Sequence, residues 1–527
     1  MSKLKTVFFI LLLIILAGSF FISCKNYDRN NSFSHVSNSS VSKGEELAKK
    51  YCQSCHSLPD PSWLDAKTWD EGVLPVMGPL LGISRHNYKR YFSAKGDPYL
   101  DSSYYPSKPL LQPEEWQHII DYYTATSPDS LPGQDRKEPI EKGFSVFKVE
   151  RPALSYANPA VSFIEINPAD SLHPLLISDV ISKNIYSFDS ELQVSDSVKT
   201  DWAAVDVIFD QGKIIVCDIG MLNPNNGKFG RAGLINFVNG KMKPDSTILF
   251  KDLQRPVHLA AADLNNDHKT DYVVCEFGNH TGKLSWLENT GGNQFTKHIL
   301  KSNPGAITSY VNDYNHDGAQ DIWVLFGQAE EGIFLYTNKG KGSFEEKQVL
   351  RFPSVYGSSS FELVDFNKDG FDDIVYTCGD NADYSIILKP YHGVYVFLND
   401  GKNNFTQKYF YPVNGCYKAI ARDFDNDGDL DIATIAFFAD YEKQPEEGFV
   451  YLEQKKDFIF TPYTLPECKA GRWLTMNAGD IDGDGMIDLV LGNFSIRPSA
   501  MPSSTDWTKG PVILLLKNQS GKLQAEK

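Results

Sequence analysis

Tyr51-Cys52-Gln53-Ser54-Cys55-His56 sets two thiols two residues apart, with an imidazole directly after the second. Thiols at that spacing reach both vinyl groups along one edge of a porphyrin, and the next side chain falls beneath the iron. The hexapeptide is therefore the attachment pattern for a c-type haem, with His56 as proximal ligand. A zinc site asks for a second pair of ligands at matching spacing, and a redox Cys-x-x-Cys asks for a surrounding βαβ unit; neither lies nearby. The sixth iron ligand belongs downstream. Met77, in Val73-Leu-Pro-Val-Met-Gly-Pro79, is the one methionine between Met1 and Met221 and leads over His86 and His118. Met/His ligation raises a haem potential.

A second kind of chemistry recurs. The chain carries Asp263-x-Asn265-x-Asp267-x-x-x-Asp271, then Asp313-x-Asn315-x-Asp317-x-x-x-Asp321, and then Asp365-x-Asn367-x-Asp369-x-x-x-Asp373. Asp423-x-Asp425-x-Asp427-x-x-x-Asp431 and Asp480-x-Asp482-x-Asp484-x-x-x-Asp488 complete the series. Oxygen ligands at positions 1, 3, 5 and 9 of a tight loop suit Ca²⁺, a hard cation that takes six to eight oxygens. Glycine at position 6 of four loops permits the turn. An EF-hand would add a glutamate at position 12 and flanking helices. Here each loop runs instead into a β-branched or aromatic run such as Asp321-Ile-Trp-Val-Leu-Phe326.

These sites require two kinds of scaffold. Around the thiols the pattern is helical. Ser42-x-x-Glu45 reads as a capping box opening a helix through Leu47, Ala48 and Tyr51. Pro113-Glu-Glu opens another, with Trp116, Ile119, Ile120 and Tyr123 on its apolar face. Residues 126–142, rich in Pro, Asp and Gly, read as a linker. Beyond it, strand, acidic loop, strand, strand, Asn/Gly turn and outer strand repeat with a period a little over fifty residues. Weaker copies without the acidic set precede the first loop, so no calcium is expected there. Counting them gives seven four-stranded blades, with Phe144 to Val149 completing the last blade and closing the ring.

The helix that ends at the haem cysteines resembles class I cytochromes c, although the short gap from His56 to Met77 departs from that family's usual spacing. The acidic loops resemble FG-GAP (VCBS-type) repeats, as in the β-propeller of integrin α-subunits. The resemblance covers roughly two-thirds of the chain. The fold class expected is therefore multidomain: a small all-α cytochrome c domain at 42–125, followed by an all-β seven-bladed propeller at 143–527.

The N-terminus bears on location. Lys3 and Lys5 precede an apolar run from Val7 to Leu16, and the segment ends Phe21-Ile-Ser-Cys24. This resembles a bacterial lipoprotein signal over residues 1–23, with Cys24 acylated and 24–41 as a flexible tether. It implies an exported protein lipid-anchored to a bacterial membrane, an outer membrane, facing periplasm or cell surface. An ordinary signal peptide or single anchor is the alternative. Of the other cysteines, Cys217, Cys275 and Cys378 read as buried thiols, and a Cys416–Cys468 bridge is possible.

The net charge of −16 argues against nucleic acid as a partner. Its source is local: positions 1, 3, 5 and 9 hold three aspartates in each of the first three loops and four in each of the last two, seventeen in all. Arg255, His258, Tyr356, Tyr417, Lys418, Arg472 and Trp473 fall near strand ends on the opposite face and form a candidate ligand rim. The function expected is one-electron transfer by a membrane-anchored monohaem cytochrome c, its calcium-binding propeller docking a redox partner protein or a small-molecule substrate. A quinoprotein-like dehydrogenase and a surface adhesin with accessory haem are the alternatives.

Overall fold

The computed structural model describes residues 31–521, apart from 168, 171, 211, 383–384 and 497–504. The Cys24 reading lies outside the described residues. Two compact units are present. One contains Leu58–Ser93 and Tyr105–Leu131 together with the chain up to Ser54. The other contains Cys55–Ser57, Ala94–Tyr104 and everything from Pro132 onward.

The first unit is helical. Helix α1 (Asn38–Tyr51) starts five residues earlier than the Ser42 capping box predicts. Ser37 caps it instead, its hydroxyl accepting the Ser40 N–H at 3.2 Å. Ser42 lies inside the helix because the chain before it supplies a better start. Helix α2 (Leu74–Leu80) carries Met77. Helix α3 (Pro113–Thr126) begins as read, with Glu115 reaching back to the Gln112 N–H at 2.9 Å. α1 packs on α3. Their backbones touch at Gly44, where a Cβ would meet the His118 carbonyl oxygen at 1.8 Å. Only glycine permits that crossing. Trp69, Trp116, Ile119 and Tyr123 fill the core between the elements.

The second unit is a seven-bladed propeller. Each blade is an antiparallel sheet of four strands in sequence order, as in blade 4: Ala306–Asn312, Asp321–Phe326, Gly332–Asn338 and Phe344–Arg351. Second and third strands are buried on both faces and read as continuous apolar runs. The first strand of each blade packs against the first strand of the next, from Val161–Ile166 round to Trp473–Gly479 and back. The seventh blade has only three strands of its own. Phe147–Glu150, from the start of the unit, pairs as its fourth, with Glu150 opposite Leu515 and Phe147 opposite Asn518. Ring closure thus follows the sequence reading and leaves blade 7 no free edge.

The linker reading is corrected in its second half. Arg136 donates to Gln444 Oε1 at 2.7 Å, pairs with buried Glu447 and lies over the Tyr411 ring. Gln134 donates to the His392 carbonyl at 2.9 Å, and Glu141–Lys142 adds a parallel fifth strand to blade 6. Composition suggested a free tether, but a charged side chain found a buried partner there. The possible Cys416–Cys468 bridge is absent: both are buried free thiols, and Cys416 Sγ shares a 3.2 Å hydrogen bond with Thr434 Oγ1.

Candidate functional sites: thiols, acidic loops and channel

Helix α1 passes into a 3-10 turn over Cys52–Ser54, which leaves Cys52 half-buried; Cys55, one residue beyond the turn, is exposed. Neither is in a disulfide. His56 Nδ1 lies 2.7 Å from the Ser57 carbonyl oxygen. A carbonyl only accepts, so Nδ1 carries the proton and the Nε2 lone pair is left for a metal. Met77 is half-exposed on α2. Of its rivals, His86 is buried with Nε2 on Gln117 Oε1 at 2.7 Å, and His118 Nδ1 is 2.6 Å from Ser40 Oγ. Thiol, imidazole and thioether are the donor types that haem c takes.

The five acidic loops share one construction. The position 1 carboxylate accepts two backbone N–H groups. In blade 5, Asp365 Oδ1 takes Asp369 N–H at 3.0 Å and Oδ2 takes Gly370 N–H at 2.9 Å. The position 3 side chain also accepts the position 5 N–H, at 3.0 Å from Asn367 and 3.1 Å from Asp425. The loop winds through left-handed conformations at position 4 (Lys368 φ 61°) and position 6 (Gly370 φ 91°). Glycine at position 6 therefore has a conformational cause, and His268 adopts φ 65° there in the first loop at some cost. In blades 6 and 7 three carboxylates converge. Ligand oxygens of Asp423, Asp425 and Asp427 lie within 4.8 Å of one another, as do those of Asp480, Asp482 and Asp488. Asp484 sits beside the second group, its Oδ1 on the Met486 N–H at 2.9 Å. In the other three loops Asn265, Asn315 or Asn367 supplies a neutral oxygen between Asp263 and Asp267, Asp313 and Asp317, or Asp365 and Asp369. Lysines stand by as counter-charges: Lys269 Nζ is 2.7 Å from Asp267 Oδ2, and Lys517 pairs with Asp482.

Position 9 has a second task that its spacing did not reveal. Asp271, Asp321, Asp373, Asp431 and Asp488 are buried. Each accepts the N–H of the residue ending its blade's third strand or, in blades 3 and 6, lying late within it. The donors are Asn289 at 2.7 Å, Asn338 at 2.6 Å, and Asn399, Gln454 and Asn518 at 2.8 Å. Burial raises these carboxyls, Asp431 to about 8 and Asp488 to about 7. They staple the loop to the sheet whether or not a cation is near.

The inner strands carry charges the sequence reading only half identified. Glu165, Asp206, His258, Glu362 and Lys418 occupy the first strands of blades 1, 2, 3, 5 and 6. Several stitch neighbouring blades. Asp206 Oδ2 accepts Leu259 N–H at 2.8 Å, Glu362 Oε2 accepts Ala421 N–H at 2.8 Å, and Asn477 Nδ2 donates to Glu165 Oε2 at 3.3 Å. Burial lifts Glu165 and Asp206 to about 7 and lowers His258 to about 4, with Lys418 adding to the last. Burial also lowers Lys418, against the pull of Glu362, Glu165 and Asp206. These acids look like ordinary alternating strand residues in sequence, so only the closing of the ring brings them into one channel.

The expected ligand rim does not hold together. Arg472 is 0 % exposed, donates to the Phe437 and Ile496 carbonyls at 3.0 and 2.6 Å and stacks 3.5 Å over the Phe437 ring. Trp473 is buried with its indole N–H on the Cys468 carbonyl. Tyr356 stacks on Tyr391. Arg255 donates to the Gly278 carbonyl at 2.5 Å. The sequence equally allowed strand-end packing for these residues, and Arg472, Trp473, Tyr356 and Arg255 serve it.

Residues 263–324 and 313–376 match the family model of the FG-GAP-like repeat. Cartilage acidic protein 1 of Xenopus tropicalis is 28% identical over 317 residues, which cover 52% of this chain and 46% of that protein. The chain thus spans less than half the length of that relative. Among solved structures, the N-terminal domain of Nup159 aligns with TM-score 0.41 and 12% identity over 73% of this chain and 98% of that one. A luciferin-regenerating enzyme aligns with TM-score 0.37 and 12% identity over 71% and 95%. FG-GAP-like repeats are thus matched within residues 263–376 of a propeller that has seven blades.

Proposed function

We propose that the chain is a c-type electron-transfer protein whose propeller docks its partner. Cys52 and Cys55 would hold haem through thioether bonds, with His56 Nε2 and Met77 as iron ligands. Haem so held supplies a one-electron couple. The observation that carries this reading is two thiols outside any disulfide followed by a histidine whose Nδ1 lies on the Ser57 carbonyl at 2.7 Å. That hydrogen bond orients the ring and leaves Nε2 as the ligating nitrogen. The five loops would each take a Ca²⁺, with Asp or Asn at positions 1, 3, 5 and 9 as ligands. Acylated Cys24 would tie the chain to an outer membrane, with a redox partner protein or small-molecule substrate docked on the propeller.

The test is covalent haem. Protein made in a host with c-type maturation should gain the mass of one haem, keep its colour after acid–acetone extraction and lose both when Cys52 and Cys55 become serine. Met77→Ala should then remove the thioether-to-iron band of the oxidised form and lower the potential. Colour that extracts fully from the wild-type protein overturns the reading.

A further inference from the structure

The chain is strongly acidic, yet one short hairpin gathers the opposite charge. Arg85–His86 and Lys89–Arg90 pair as two antiparallel strands, with Arg85 opposite Arg90 and His86 opposite Lys89. Like charges placed directly across a ladder repel. Neither arginine has an ion-pair partner among the described residues. Lys89 has only Asp70, at 3.7 Å, with both side chains in contact with water. The hairpin's repulsion is therefore left for something outside the described residues to offset.

Two exposed aromatic rings flank the second strand, Tyr88 in the turn before it and Phe92 just beyond its end. Tyr88 is 103% exposed and Phe92 84% exposed. Asn87 and Tyr88 turn the chain with φ 42° and 65°. Asparagine tolerates that region, but a bulky tyrosine there is strained, and a glycine would relieve it. The turn thus keeps a strained ring that nothing in its own unit covers.

The base is firmly held. His86 is buried with Nε2 on Gln117 Oε1 at 2.7 Å, and Asn87 Nδ2 donates to the same oxygen at 2.9 Å. Tyr91 is buried and its hydroxyl accepts the Trp116 indole N–H at 3.1 Å. His86 and Tyr91 point inward, while Arg85, Tyr88, Lys89, Arg90 and Phe92 point outward. The hairpin is a rigid finger with cationic sides and an aromatic end.

We propose that this hairpin is a contact for the surface of an anionic phospholipid bilayer. Tyr88 and Phe92 would seat at the headgroup level, where amphipathic aromatic rings are favoured, and Arg85, Lys89 and Arg90 would meet lipid phosphates. Two exposed rings bracketing a cationic strand, one at the turn and one past the strand end, favour a bilayer over an acidic protein face, which would take up the charge but offer the rings no apolar depth. The apolar run Val7 to Leu16 precedes this same unit in the sequence, which places the finger on the part of the chain nearest any membrane attachment. The contact stands without haem and without acylation of Cys24.

The full chain is bound to vesicles of phosphatidylcholine alone, or with three parts in ten phosphatidylglycerol, and hydroxyl-radical oxidation of single residues is read by mass spectrometry. Flotation with phosphatidylcholine alone reads N-terminal attachment separately. Oxidation of Tyr88 and Phe92 should fall severalfold only on the anionic vesicles and recover at high salt, while exposed Phe371 in a propeller loop stays constant. Each arginine contributes about fivefold to occupancy near such a surface. Arg85→Gln with Arg90→Gln should therefore abolish the protection, and Tyr88→Gly, which relieves the turn, should weaken it while leaving the fold intact. Equal oxidation on both vesicles overturns the proposal. So does protection by soluble polyglutamate but not by phosphatidylglycerol, which would assign the finger to an acidic protein surface.

Discussion

The two ends of the propeller use acidic side chains in opposite ways. At one end, the loops between first and second strands leave the carboxylates of positions 1, 3 and 5 in contact with water, crowded and only partly offset by lysine. At the other end, single acids or amides are buried and consumed by backbone. Asp179 takes Ala160 N–H at 2.6 Å, Asp218 takes Ala203 N–H at 3.0 Å and Glu276 takes Gln254 N–H at 2.8 Å. Glu331 takes Ser358 N–H at 2.6 Å, Glu447 takes Asn414 N–H at 3.3 Å and Asn493 takes Arg472 N–H at 3.1 Å. Each clamps the entry of a first strand. One end is assembled by folding alone; the other holds charge that a cation would complete. Acid count therefore says little about metal, and solvent contact says much.

The sharpest contrast is expected at Glu447. Its carboxylate is buried against Arg136 and Asn414, so Glu447→Ala leaves a buried guanidinium without its counter-charge. A loss of ~3–5 kcal/mol is expected in denaturant unfolding, equal in Ca²⁺ and in EDTA. Asp431→Asn comes next. It disturbs the staple to Gln454 and the bond from the Tyr451 hydroxyl at 2.5 Å, at ~2–3 kcal/mol in either buffer. Asp423→Asn should behave oppositely: little change in EDTA, but loss of up to ~2.7 kcal/mol of the stabilisation that Ca²⁺ at a hundredfold over its dissociation constant gives one site. Equal effects of Asp423→Asn in both buffers would erase the distinction between the ends.

The channel supplies the smallest expected effect. Glu165 and Asp206 hold their protons up to about pH 7 in the folded chain, against about 4 when unfolded. The folded state then binds more protons across that window, so stability falls as pH rises from about 4 to about 7 and is level above it. His258, Lys418 and Glu362 face the same space. With channel water screening the charges, the loss is ~1–2 kcal/mol. Asp206→Asn should flatten the pH profile of melting temperature, measured in EDTA to silence the loops; an unchanged profile would sink the assignment.

The difference between the ends also explains what could be read in advance. The loops repeat one spacing five times because one backbone turn demands it, and the blade count and the closing strand followed from that period. The clamps vary in residue type and partly in place. Asp179, Asp218, Glu276 and Asn493 end their second strands, but Glu331 precedes a third strand and Glu447 lies in a 3-10 turn. Their shared role exists only once the blades are curled into a ring. The same holds for Arg136, whose linker-like surroundings hid a buried partner three hundred residues away in sequence, and for Arg472, whose type suggested a surface. At the thiols, spacing alone carried the haem expectation. The tautomer of His56 and the engagement of His86 and His118 needed neighbours from other elements.

The strand that closes the ring bears on how the propeller folds. Phe147–Glu150 is made before any blade, and its partner Ile513–Asn518 only after six whole blades. At 5–20 residues per second, this early segment waits on the order of half a minute with its ladder unpaired. The six whole blades can form as they appear, but blade 7 keeps an open flank until Ile513–Asn518 has emerged. A chain stopped a few residues short of Ile513 would carry all five acidic loops and still lack a closed circle.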